Sequence, residues 1–136
     1  MNFYERFMLD VKFVVENQEL VKKDIKKRCK DYKLEHLSLL LEFYPKWKKS
    51  KQELDDLRNK RNIISENINK LKKQGKDIKH LVVEIKGIPD RIKVLELEET
   101  DLKDKVEHNL SKLPNLMDKT VPFGKTAEDN KVIKKW

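Results

Sequence analysis

Catalysis needs reactive side chains at short range, and this sequence spaces its own widely. The histidines His36, His80 and His108 lie too far apart to suggest a metal-ligand set. Cys29 is the single cysteine, so the sequence holds neither a disulfide framework nor a cysteine metal cluster. It reads as a small half-buried side chain rather than a nucleophile. No catalytic residue and no metal site is therefore expected in this chain. What the sequence does concentrate is positive charge. Lys70, Lys72, Lys73, Lys76 and Lys79, followed by His80, face only Asp77 as an acid within Lys70–His80. Lysines at that density suit contacts to phosphate that ignore base sequence. Lys26 and Lys27, in the basic stretch Lys26, Lys27, Arg28 and Lys30, form a second candidate group. His80 reads as a surface polar residue, not a ligand.

Composition agrees with that emphasis. The chain has 136 residues, a formal net charge of +8, 41% charged and 38% hydrophobic residues, and only three glycines and four prolines. So few turn formers argue for long helices over a multi-stranded fold. A coiled coil buries a narrow stripe, which this hydrophobic content can supply where a compact globule would lack core. The basic balance favours an anionic partner, nucleic acid or an acidic membrane surface, over the blander alternative of lysines that merely solvate every face. No apolar run approaches the ~20 residues of a membrane span. The N-terminus carries acids early and lacks a secretory core, so the cytoplasm is the expected compartment and no membrane partner is expected.

The elements that hold the cations follow from apolar spacing. One series runs Leu40, Phe43, Trp47, Leu54, Leu57, Ile64, Ile68 and Leu71. The other runs Leu81, Ile85, Ile88, Ile92, Leu95, Leu102, Val106 and Leu113. Alternating steps of three and four mark the seam of a coiled coil. Two seams joined by a polar turn predict an antiparallel hairpin over 34–113, with its tip near 74–77. Gly75 suits the left-handed position that ends a helix, and Asp77 suits the cap of the return helix. Pairing across the turn sets Leu71 near Leu81, Ile68 near Ile85, Ile64 near Ile88 and Leu57 near Leu95. Arg61, Glu99 and Ser50 are polar residues in the same phase, which either fix register or, for Arg61 and Glu99, only reach out to neighbouring charges. Pro45 predicts a kink or break near Leu41–Tyr44, and Gly87 with Pro89 predicts a kink in the return helix. Residues 1–33 are expected to form a base. Phe3, Phe7, Leu9, Val11 and Phe13 suggest an extended piece or short strand, followed by a helix from Gln18 to about Arg28 capped by Asn17. Leu20, Val21 and Ile25 form the apolar face of that helix. Residues 114–136 read as an extended connector. The fold class is all-α: a long two-helix coiled-coil arm, a small helical base and an extended C-terminal connector.

Three ordered motifs then point to a family. Met8 to Phe13 with Glu16, Asn17, Glu19, Leu20 and Val21 is the first. Leu57 to Asn62 with Ile64 and Ser65 is the second. Leu113-Pro114-Asn115, Val121 to Lys125, Glu128 to Asn130 and Lys135-Trp136 form the third. Together they resemble the N-terminal tRNA-binding domain of seryl-tRNA synthetase, of the bacterial and common archaeal type. Val15, Gln18 and Pro89 depart from the family pattern. The resemblance implies an arm that recognises the long variable arm and elbow of tRNA-Ser, with Lys26, Lys27, Arg58, Lys60, Lys70, Lys72, Lys73, Lys76, Lys79 and His80 as contacts. It implies serine activation and transfer by a class II catalytic domain, using ATP and Mg2+, whose motifs should follow Trp136. This chain alone should be inactive and hold no cofactor. The parent is expected to dimerise through its catalytic domain, which leaves a monomer open for this chain.

Two other classes compete. A structural or prefoldin-like chaperone hairpin shares the helical pattern, but a client-holding tip should expose apolar residues where this one offers lysines. A basic DNA-binding protein would need a recognition helix or zinc spacing, and neither is present.

Overall fold

The structure, a computed structural model, describes residues 9–132. The Phe3 and Phe7 positions and the Lys135-Trp136 motif lie outside the described residues. The chain divides into two compact units, one made of its beginning up to Phe43 together with the stretch from Lys105 onward, the other Tyr44–Asp104.

In the first unit the chain turns helical sooner than the alternation of apolar residues suggests. α1 spans Val11–Glu16, where a short strand was expected. Asp10 starts it, its carboxylate accepting the Lys12 amide at 3.1 Å. The buried residue of α1 is Val14, which stands outside the alternating set, so helical rather than strand periodicity governs here. α2 follows at Gln18–Lys27. Asn17 joins the two helices but does not cap α2 with its side chain, which instead donates from Nδ2 to the Phe13 carbonyl at 3.0 Å. Val21 and Ile25 are buried one helical turn apart, while Leu20 is 49% exposed and so leaves the apolar face assigned to it. α2 ends in a double bond pattern, Cys29 N–H to the Lys26 carbonyl and Lys30 N–H to the Ile25 carbonyl, with Cys29 at φ 53°.

α3 runs unbroken over Lys33–Lys73 and includes Pro45. The break expected there is absent. Pro45 is exposed, and its ring removes a single backbone bond from a helix of 41 residues. The return path consists of α4, Lys79–Lys86, and α5, Ile88–Lys112, interrupted at Gly87. The interruption falls where Gly87 and Pro89 predicted a disturbance. Pro89 sits in the first turn of α5, where a missing N–H breaks no intrahelical bond. Gly75, at φ +67°, closes α3 with Gly75 N–H on the Lys72 carbonyl and Lys76 N–H on the Leu71 carbonyl. Asp77, expected as the cap of the return helix, is displaced from that position by Ile78, which offers no side-chain cap; Asp77 stands one residue earlier and accepts the Lys79 amide at 3.0 Å.

Every residue of both seam series is buried or half-buried. Within the second unit Leu54, Ile64, Ile88, Ile92 and Leu95 form the core, and Leu57, Ile68, Leu81 and Ile85 pack against it. Ile63, Val82, Val83, Val94 and Leu97 lie off the seam and are exposed. The seam thus selects by position, not by side-chain type. Charged pairs flank it: Arg91 to Glu53 at 2.9 Å, Arg58 to Glu96 at 2.8 Å and Lys60 to Glu84 at 2.8 Å. These bonds tie α3 to the antiparallel return helices. The described residues form helices, turns and one 3-10 turn at Ala127–Asp129, so the chain is all-α over that range.

Candidate nucleic-acid interface

The tip of the hairpin displays its cations on hydrogen-bonded backbone. Lys70, Lys72 and Lys73 occupy the last turn of α3, Lys76 the bonded turn after Gly75, and Lys79 and His80 the first turn of α4. All six side chains are exposed. None of these lysines forms an ion pair among the described residues. Asp77, the acid in their midst, directs a carboxylate oxygen to a backbone amide. The positive end of α4 adds to the same sign of potential. Charge that is exposed and unpaired can meet an external anion without first breaking an internal contact.

The shaft differs. Arg58 meets Glu96 at 2.8 Å and Asp55 at 3.7 Å, and Lys60 meets Glu84 at 2.8 Å. Both cations are roughly half exposed, so these pairs are weak enough to exchange for a phosphate. They are nonetheless partly neutralised in a way the tip is not. Arg61, polar in the seam, turns to Asn62 at 3.3 Å. Glu99 accepts the Trp47 indole N–H at 2.7 Å, so an aromatic residue satisfies a seam carboxylate. Ser50 is buried, and its hydroxyl has no partner.

Lys26 and Lys27 belong to the first unit, on the last turn of α2. Lys26 is exposed, whereas Lys27 is half-buried and lines a shallow cleft of about 220 Å³ with Arg28, Lys30 and residues of the connector. The Thr120 amide and hydroxyl, and more distantly the Lys27 charge, hold the Asp118 carboxyl below its usual range. The connector is tied back to α2 by backbone and side-chain bonds. Asp24 accepts the Met117 amide at 2.8 Å while binding Arg28 at 2.9 Å, and Arg28 also donates to the Asn115 carbonyl. Further on, the Asp129 carboxylate accepts the Lys125 and Thr126 amides at 2.8 and 3.0 Å. Those donors hold its carboxyl below the usual range. Gly124 is required beside it: a Cβ there would stand 2.3 Å from the Asp129 Cβ.

Sequence reasoning missed the anchoring of this unit. Lys33 donates to the Lys112 carbonyl at 2.7 Å, and His36 Nδ1 meets the buried Asn109 amide oxygen at 2.9 Å. The Asp24–Arg28 spacing of four was the available signal for one of these contacts. The others join residues more than seventy positions apart. The basic run Lys48, Lys49 and Lys51 was also passed over; Lys51 lies 5.8 Å above the Trp47 ring. Among the described residues no helix is long and apolar enough to cross a membrane.

Comparison with known proteins gives this geometry a context. Residues 8–117 match the family model of the seryl-tRNA synthetase N-terminal domain. A serine–tRNA ligase of Methanoculleus marisnigri is 38% identical over 129 residues, covering 95% of this chain and 30% of the relative. Its counterpart in Pyrococcus horikoshii is 37% identical, covering 95% and 28% respectively. The crystal structure of seryl-tRNA synthetase from Pyrococcus horikoshii complexed with ATP superposes with a TM-score of 0.81 at 37% identity, over 95% of this chain and 29% of that one. This chain therefore spans about 30% of the length of the relatives it matches.

Proposed function

This chain belongs to the seryl-tRNA synthetase N-terminal domain family, and from that premise we propose that its hairpin binds tRNA-Ser through the exposed cations of its tip. The observation that carries the proposal is the set Lys70, Lys72, Lys73, Lys76 and Lys79, exposed and free of internal ion pairs. The partner is a tRNA whose long variable arm and elbow are read by shape and backbone, as RNA helices generally are. Lys26 and Lys27 contribute from the first unit, and Arg58 and Lys60 join by exchanging Glu96 and Glu84 for phosphate. His80 stands beside them as a hydrogen-bond donor.

On this reading residues 1–33 serve as a base, 34–113 as the RNA-binding hairpin and 114–136 as a connector. The activity served is ATP-dependent attachment of serine to tRNA in the cytoplasm, by a class II catalytic domain that uses Mg2+ and dimerises. The serine–tRNA ligase relatives support that role. The measurement is tRNA binding as a function of salt. Replacing Lys72, Lys73 and Lys76 with Glu should weaken binding and flatten the dependence of log K on log salt by roughly 2 to 3. Equal affinity for tRNAs lacking a long variable arm would refute selective recognition.

One observation favours a client-holding hairpin instead. Val82 and Val83, the latter 75% exposed, present apolar surface just beyond the cations. Replacing both with Ser separates the two functions: an RNA arm keeps its tRNA affinity, whereas a holdase loses client protection.

A further inference from the structure

Between α2 and α3 the chain makes a turn that holds an aromatic ring out in solvent. Tyr32 is 67% exposed. Its side chain makes no hydrogen bond and no ring contact among the described residues. The ring is one of several large side chains left exposed, with Phe123 at 65% and Val83 at 75%, and is set apart by the backbone that carries it. That backbone is fixed on both sides. Cys29 N–H and Lys30 N–H bond the Lys26 and Ile25 carbonyls at 2.9 and 3.2 Å, and Lys33 N–H and Leu34 N–H bond the Lys30 and Asp31 carbonyls at 2.9 Å each. Tyr32 is thus displayed on a rigid turn, and binding need not order the loop that carries it.

The surroundings identify the partner. Lys26 and Lys30 are exposed and form no ion pair among the described residues. Arg28 is committed to Asp24 and the Asn115 carbonyl, and Lys33 to the Lys112 carbonyl, so these two are structural. What remains is one exposed aromatic face that follows the unpaired Lys26 and Lys30 in sequence, with the exposed Asp31 between Lys30 and the ring. That is the minimal equipment for gripping an unpaired nucleotide: the ring stacks on the base and the ammonium groups meet its phosphates. An acidic protein surface would also cover the ring, and unchanged RNA affinity in Tyr32→Ala would point to that partner instead.

We propose that Tyr32 is a stacking platform for an unpaired nucleotide of the bound RNA, with Lys26 and Lys30 contacting the adjoining phosphates. This rests on the RNA-binding function proposed above, and the test separates the two. Binding of a labelled tRNA with a long variable arm would be measured against salt for the whole chain and for Tyr32→Ala, Tyr32→Phe and Lys30→Gln. Circular dichroism would check that each variant retains its helices. Tyr32→Ala should weaken binding at least about fivefold. Its slope of log K against log salt should match the parent's, because stacking releases no counterion. Tyr32→Phe should bind as the parent does. Lys30→Gln should lower the slope by about 0.7. Parental affinity in Tyr32→Ala, with the triple Glu variant of the tip impaired, overturns the stacking platform alone. Parental affinity in both overturns the RNA-binding function and the platform with it. Loss in Tyr32→Phe as large as in Tyr32→Ala would assign the effect to the hydroxyl and overturn stacking.

Discussion

Cys29 holds a backbone conformation that ordinarily falls to glycine. At φ 53° its Cβ crowds the following carbonyl, which costs about 1–2 kcal/mol for a residue other than glycine. Cys29→Gly relieves that strain but frees the unfolded chain. The expected net is a gain in stability of up to about 1 kcal/mol, read as a higher urea midpoint. A lower midpoint would mean that the half-buried thiol contributes packing that outweighs the strain. The turn shows where residue-level reading of sequence stops. Gly75 announced its left-handed position by being glycine, but Cys29 fills the same role one helix earlier and carries no such mark. Asn17 shows the converse. Its type fits a cap, but its amide has a second partner within reach in the Phe13 carbonyl, and that bond prevails. Local chemistry allowed both outcomes, and only the arrival of α1 decided between them.

At the scale of elements the apolar spacing was the strongest guide. Positions three and four apart have to share a face, so the seam could be read directly, and every member of it is covered. The depth of burial could not be read that way. Leu95 is 1% exposed at the centre of the hairpin core, whereas Leu71, Leu81 and Ile85 near the tip are only half-buried, because fewer neighbours surround the end of a two-helix structure. Leu95→Ala should therefore cost about 2–5 kcal/mol, and Leu81→Ala about 1 kcal/mol, in chemical unfolding. Equal losses would show that the seam is uniformly packed. Pro45 marks a different limit. Proline predicts a break in isolation, but a helix of 41 residues with covered positions on either side of it continues through one missing bond. Alternation misled at the start of the chain because Val11 and Val14, three apart, also fit one face of a helix, and the burial of Val14 settles which period applies.

Over the whole molecule, the likeness to the synthetase family was legible because motifs at both ends bracket a hairpin of matching pattern. The candidate interface was legible as a list of cations but not as a ranking. Sequence could not tell Arg58 and Lys60, engaged by acids on the opposite helix, from the unengaged lysines of the tip, because those partners lie 24 and 38 positions away. The interruption at Gly87 carries its own consequence. It leaves α4 with eight residues, too few to persist as a helix by themselves, so its order depends on Leu81 and Ile85 resting half-covered on α3. The segment bearing Lys79 and His80 is accordingly the first part of the hairpin to open, and it is rich in the bonds that trypsin cuts. Brief digestion should nick the chain after Lys72, Lys73, Lys76 or Lys79 while the long helices stay whole, as intact-mass spectrometry would record. Saturating tRNA-Ser should suppress those cuts. Cleavage beginning instead within Lys46–Lys60 would place the weakest part of the chain in the middle of α3. The residues proposed to grip RNA would then be a protease's earliest targets in its absence, and occupancy of the tip would decide how long the free protein lasts.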